Sequence, residues 1–267
     1  MKKFTLLYVL LFLILGACSP FENLQKGNFN NVKKTGLEIK DELKASFFPK
    51  ELHIVAAGDS LTQGVGDSTN SGGYIPYLAE HLESEKTIRN ANFDNFGVRG
   101  NRTDQLLKRL GDKNVQSSVE EADLIILTIG GNDLMKVVKE NFSNLRINQF
   151  HKEKKVFADQ LQEIFTAIRN QNQEATVVLV GLYNPFFNWF ADVEEMNQIV
   201  EEWNRESSSV VERDGNAFLV DIHDIFLNSE ENLLYTDYFH PNDRGYQLIA
   251  DRIYGLLDEK VIDSMND

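Results

Sequence analysis

A serine near the start of the chain and an aspartate–histidine pair near its end have the types that acyl transfer needs. Ser60 lies in Gly58-Asp59-Ser60-Leu61-Thr62, and the pair lies in Asp237-Tyr238-Phe239-His240-Pro241. Serine attacks a carbonyl only when a base removes its proton. That base needs a carboxylate to fix its tautomer and stabilise the imidazolium. Asp237 and His240, three residues apart, can project from one loop or one helical turn. The tetrahedral oxyanion formed by the attack needs hydrogen-bond donors already aimed at it. Gly130-Gly131-Asn132-Asp133 and the run Asn95-Phe96-Gly97-Val98-Arg99-Gly100-Asn101 could supply them. Glycine lets a backbone N–H approach closely, and asparagine offers a side-chain N–H. Taken singly, each segment has an ordinary explanation: a serine or aspartate capping a helix, a surface histidine, glycines in turns.

What must position these residues is an alternation of short apolar runs and longer amphipathic ones. Residues 52–57, 88–96, 124–129, 176–182 and 217–222 read as strands. Several are rich in Val and Ile, and two are nearly continuous apolar runs, as in strands buried on both faces. Residues 74–82, 103–110, 156–170 and 193–213 read as helices, and a last helix starts near Asn242, after Pro241. Strands separated by helices predict an α/β fold, a parallel sheet covered on both faces. Ligands of such folds collect at the carboxyl ends of the strands, where all four segments fall. The polar, weakly periodic residues 136–153 read as an insertion over the site. Tyr183, Phe186, Phe187, Trp189 and Phe190 could line an acyl or sugar pocket, or equally plug the core around Pro185. His53, His81 and His151 have no serine neighbour suited to catalysis.

The order Ser, Gly, Asn, Asp-His, each following a strand, resembles the SGNH or GDSL hydrolase family over about residues 52–257. In detail it resembles lipoprotein members from Bacillus-type bacteria. The resemblance implies a three-layer α/β/α, flavodoxin-like fold with a five-stranded parallel sheet and hydrolysis of esters without a cofactor or metal. It implies Ser60 as nucleophile, Asp237 and His240 as the rest of a triad, and an oxyanion hole from the Ser60 N–H, Gly100 and Asn132. Gly97 competes with Gly100. Gly100 is taken because it stands five residues after Asn95, as in the family pattern. Asp59 and Asp133 are expected to orient the turns.

Three other readings compete with this one. The α/β-hydrolase elbow Gly-x-Ser-x-Gly fails, because Thr62 stands two residues after Ser60. A metal-dependent phosphoesterase could draw ligands from Asp221, His223, Asp224, Asp237 and His240. A ligand-binding lipoprotein could keep the fold without the chemistry.

Composition narrows the choice. The chain has 267 residues and a net charge of −14, with 41 acidic against 27 basic side chains. Such a surface disfavours nucleic acid, whose binding needs a basic face. The single cysteine, Cys18, leaves the body without a disulfide, a thiolate or a zinc–cysteine site. Met1-Lys2-Lys3, an apolar run from Phe4 to Leu15, and Leu15-Gly16-Ala17-Cys18 form a secretory signal whose end resembles the lipobox of bacterial lipoproteins. The expected organisation is a signal with lipidated Cys18 over residues 1–18, a polar tether over 19–50 and a hydrolase domain over 51–267. That organisation implies anchoring by lipid at the extracellular face of a bacterial membrane, and the expected state is a monomer. Its substrate would be a lipid, a lysophospholipid or an acylated envelope sugar.

Overall fold

The computed structural model describes residues 48–186, 193–227 and 229–262. Its frame is a five-stranded, all-parallel sheet in the order β2-β1-β3-β4-β5. The strands are β1 Lys50–Gly58, β2 Ile88–Gly97, β3 Leu124–Thr128, β4 Thr176–Val180 and β5 Ala217–Val220. β1 begins one residue before the expected domain boundary, with the Lys50 N–H donating to the Thr87 carbonyl. Every residue of β3 is buried, as its unbroken Leu-Ile-Ile-Leu sequence requires. The edge strand β2 buries only Ile88 and Ala91 and leaves its other residues at least partly accessible.

The helices are α1 Ser60–Gln63, α2 Ile75–Glu83, α3 Thr103–Arg109, α4 Lys113–Glu121, α5 Gly131–Asn141, α6 Ile147–Gln171, α7 Val193–Val211, α8 His223–Leu227 and α9 Asp243–Leu257. They form two outer layers. Val55, Ala57, Ile125 and Leu127 face a core shared with α3 to α7. Ile54, Ala56, Leu124 and Ile126 face the core built with α2, α8 and α9. The period-2 alternation of the central strands thus feeds both cores from one sheet.

Three expectations need correction. Residues 136–153 are not an insertion: they close α5, make a 3-10 turn at Phe142–Asn144 and open the 25-residue α6. Their charge belongs to an outer face, where Lys136 pairs with Glu153 at 2.7 Å, while Val137, Val138 and Phe150 are buried beneath. Helix α4, unforeseen, buries only Val115 and Val119, a stripe too narrow to register. The fourth strand stops at Val180 because α7 takes over: Asn204 accepts from the Leu182 N–H at 2.7 Å and donates to its carbonyl at 2.9 Å, as a neighbouring strand would.

Candidate active site

The sheet delivers Ser60 first. β1 ends at Gly58, Asp59 caps α1 by accepting from the Leu61 N–H at 3.0 Å, and Ser60 is the first helical residue. The Thr128 hydroxyl at the end of β3 donates to the same Asp59 oxygen at 3.0 Å. Burial pushes the Asp59 carboxyl up to about 7 against these hydrogen bonds. Thr62, fully buried, joins Thr128 and Tyr74 through its hydroxyl, so the turn bearing Ser60 is tied to the end of β3 and the start of α2.

The second block follows β2. Val98 to Asn101 form a turn closed by the Asn101 N–H on the Val98 carbonyl, with Gly100 at φ +83°, the left-handed position glycine fills at the third place of a type II turn. The Gly97 N–H donates to Asn95 at 2.8 Å, and a side chain at Gly97 would strike the α1 backbone at 2.1 Å. Gly97 is therefore a packing glycine. The Gly100 N–H has no partner among the described residues, and Gly100 borders the cleft described below.

The third block opens α5 after β3. Asn132 donates one side-chain N–H to the Asn101 carbonyl at 3.0 Å, which leaves the other available. Asp133 accepts from the Thr103 hydroxyl at 2.6 Å and from the Thr103 N–H. Burial raises the Asp133 carboxyl to about 6 against those bonds. Asp59 and Asp133 thus do orient the turns, each bridging two loops.

The fourth block is a loop that makes its own geometry. Asp237 accepts from the backbone N–H groups of Phe239 and His240, both at 3.0 Å. Its other oxygen meets His240 Nδ1 at 2.6 Å. Burial works to raise the Asp237 carboxyl, but the His240 ring and the two backbone N–H groups hold it below its ordinary value. An ionised carboxylate only accepts, so Nδ1 carries the proton and Nε2 is the free, basic nitrogen. Tyr238 takes φ +56° to make the turn, and the Tyr183 hydroxyl at the end of β4 holds the Phe239 carbonyl at 2.6 Å. Gly66 lets this loop close on the Ser60 side: a side chain there would lie 2.4 Å from the Pro241 carbonyl oxygen.

Ser60, Gly100, Asn132, Asp237 and His240 line one open cleft of about 290 Å3. The Ser60 hydroxyl makes no hydrogen bond to another described residue. What is already closed is the Asp237–His240 contact, whereas serine–base contacts in unliganded enzymes commonly tighten only with substrate. Arg99, Met135, Lys139 and Phe239 complete the lining, and none was singled out from sequence. Met135 and Lys139 follow Asn132 by three and seven residues on α5, a spacing that could have found them. Ser60, Asn132, Met135 and Phe239 also border a recess of about 40 Å3 whose other walls are mostly apolar, among them Leu134, Leu182, Pro185 and Phe186, with Asp59, Thr128 and Tyr183 as the polar exceptions.

The metal reading meets other commitments. Asp224 forms a two-pronged ion pair with Arg252 at 2.8 and 2.9 Å, and Asp221 accepts from the His223 N–H at 2.8 Å. Of the aromatic cluster, Tyr183 and Phe186 are buried, while Phe187, Trp189 and Phe190 lie outside the described residues, as do Cys18 and residues 19–47 of the expected tether. His53 pairs with Asp94, His81 with Asp251 and His151 with Glu202, all away from the cleft.

Comparison with known proteins shows the family and the fold. Residues 56–248 match the model of the GDSL-like Lipase/Acylhydrolase family. The chain is 35% identical over 246 residues to the uncharacterized protein YpmR of Bacillus subtilis (strain 168), covering 91% of each. It is 26% identical over 215 residues to the spore germination lipase LipC of Bacillus licheniformis, covering 78% of this chain and 99% of that protein. The crystal structure of the lipase Lip_vut3 from a goat rumen metagenome has the same fold, with a TM-score of 0.68 at 23% identity over 76% of this chain and 96% of that one. The chain belongs to the GDSL-like lipase/acylhydrolase family and is an ester-hydrolysing enzyme.

Proposed function

We propose that the protein hydrolyses carboxylic esters through an acyl-enzyme on Ser60. The observation that carries this reading is convergence: the Asp237–His240 arm, Gly100 and Asn132 border the same cleft as Ser60. His240 Nε2 takes the Ser60 proton as the oxygen attacks the ester carbonyl. The N–H groups of Ser60 and Gly100 and the Asn132 side chain hold the oxyanion. As the intermediate collapses, the carbonyl–alkoxy bond breaks and His240 gives its proton to the departing alcohol. Water then attacks the acyl-serine while His240 accepts its proton. The carboxylic acid leaves, and the proton returns to Ser60. Asp237 stabilises the imidazolium in both halves without taking the proton.

The apolar recess beside Ser60 suits the acyl group, and the wider cleft suits the alcohol. Similarity to a spore germination lipase supports a lipid or lysophospholipid ester, and an acylated envelope sugar would use the same triad. The Leu15-Gly16-Ala17-Cys18 motif supports lipidation of Cys18 and a place at the outer membrane face, with residues 19–50 as tether. Cys18→Ser should abolish incorporation of labelled fatty acid and release the protein from membranes. Equal labelling in both would reject the anchor. The function itself is tested with p-nitrophenyl esters from acetyl to long-chain, given to residues 19–267 and to Ser60→Ala. Turnover by the first and not the second is expected. Equal rates in the two proteins would reject the nucleophile.

A further inference from the structure

The charged groups around the cleft are unlike those of the protein as a whole. The chain carries a net charge of −14, yet its cleft is bordered by two cations, Arg99 and Lys139, and by one carboxylate, Asp237, which is held by His240. Three basic side chains on neighbouring helices are neutralised locally: Arg102 pairs with Asp104, Lys136 with Glu153 and Lys154 with Glu202. Neither Arg99 nor Lys139 has a side-chain partner among the described residues.

Both are placed by structure that also places the oxyanion donors. Arg99 is the residue before Gly100 in the turn after β2, and its backbone N–H donates to the Gln63 side chain of α1 at 2.5 Å. Lys139 lies on the face of α5 that carries Asn132 and Met135. Seven residues separate it from Asn132, about 10 Å along the helix axis, a distance its own flexible chain can shorten. The two cations therefore come from different elements, the turn that carries Gly100 and the helix that carries Asn132. An anion approaching a protein of this net charge is repelled at long range, and cations at a cleft mouth with apolar walls offset that locally. Met135 and Phe239 provide such walls.

We propose that the alcohol portion of the ester bears an anionic group, a phosphate or a carboxylate, that Arg99 and Lys139 hold while Ser60 attacks the acyl carbon. This rests on the serine-esterase reading above. The shared chemistry fits two sources, an acylated glycerol phosphate and an acylated acidic sugar. Binding is the step served, so the preference for anion falls mainly on KM.

The test uses two matched pairs of esters: 1-butanoylglycerol with and without a 3-phosphate, and O-acetylglucuronic acid against O-acetylglucose. For wild type, kcat/KM on the anionic member of at least one pair should exceed that on the neutral member by about tenfold, the size expected of a doubly charge-assisted contact. Which pair shows it identifies the source. The ratio should fall in Arg99→Gln/Lys139→Gln and in high salt, which screens exposed charges. Ratios near one in both pairs, with the neutral esters cleaved, would overturn the anionic substrate and leave the serine esterase standing. A ratio that persists in the double variant would overturn the assignment to Arg99 and Lys139. Failure of folded wild type to cleave any of the four esters would overturn both readings.

Discussion

The two halves of the site are held by different means. On the nucleophile side, Ser60, Gly100 and Asn132 sit on turns at the ends of β1, β2 and β3, cross-braced by the buried Asp59 and Asp133. On the base side, the Asp237–His240 loop follows α8, belongs to no sheet strand, and depends on its own turn plus the Tyr183 hydroxyl. Its carboxylate is 33% exposed, whereas the His240 ring is 7% exposed. The first half is part of the core, and changes there disturb fold and chemistry together. The second is an attachment whose chemistry can be removed with the fold intact.

The sharpest way to break that comparison is His240→Ala. Turnover should drop by about 10⁴-fold or more, since triad members act as a unit, with little change in Tm. Unfolding of this variant would place the base side in the core after all. Asn132→Ala should lose about 100- to 1000-fold in kcat. It should also lower Tm, because the bond to the Asn101 carbonyl bridges two loops. An unchanged Tm would show that the nucleophile side is less braced than its hydrogen bonds imply.

Tyr183→Phe isolates the attachment. The ring stays stacked on Phe226 at 4.1 Å, while the hydrogen bond to the Phe239 carbonyl is lost. Stability should fall by about 1 kcal/mol, and kcat by a few-fold as the His240 loop loosens. Kinetics identical to wild type would remove Tyr183 from loop positioning.

The smallest effect concerns pH. Burial raises Asp59 to about 7 and Asp133 to about 6. Between the ordinary aspartate value of about 3.9 and those values, the folded chain retains protons that the unfolded chain has released. These two groups therefore make stability decline as pH rises from about 4 to about 7. Asp59→Asn keeps an acceptor for the Leu61 N–H and removes the charge, so its Tm should decline less over that window. A wild-type slope in thermal melts at pH 5 and pH 7.5 would contradict the buried-carboxyl account. Asp237 acts in the opposite sense: its depressed value adds stability above the ordinary aspartate range that is lost as pH falls through it.

Much of this was legible in the residues. β3 and β4 declared themselves as apolar runs that only a doubly covered sheet accommodates. The site blocks were found because catalytic side chains need particular types next to strand ends. Harder to read were features that depend on what lies across space. Gly97 and Gly100 look alike in sequence. They separate only when the N–H of Gly97 is seen on Asn95 and its Cα is seen against α1. Residues 136–153 read as an insertion because charged side chains on an outer face mask the helical spacing of their apolar anchors. Lys139 follows Asn132 at helical spacing and Arg99 precedes Gly100, but that both side chains line the cleft is a tertiary property.

The central claim is that Ser60 is a nucleophile driven by His240, and covalent trapping tests it most directly. The folded domain would be treated with a fluorophosphonate, digested and mapped by mass spectrometry, beside His240→Ala. The account predicts one adduct, on Ser60, formed far more slowly in the variant. An adduct on another residue, or equal labelling of Ser60 without His240, would contradict it.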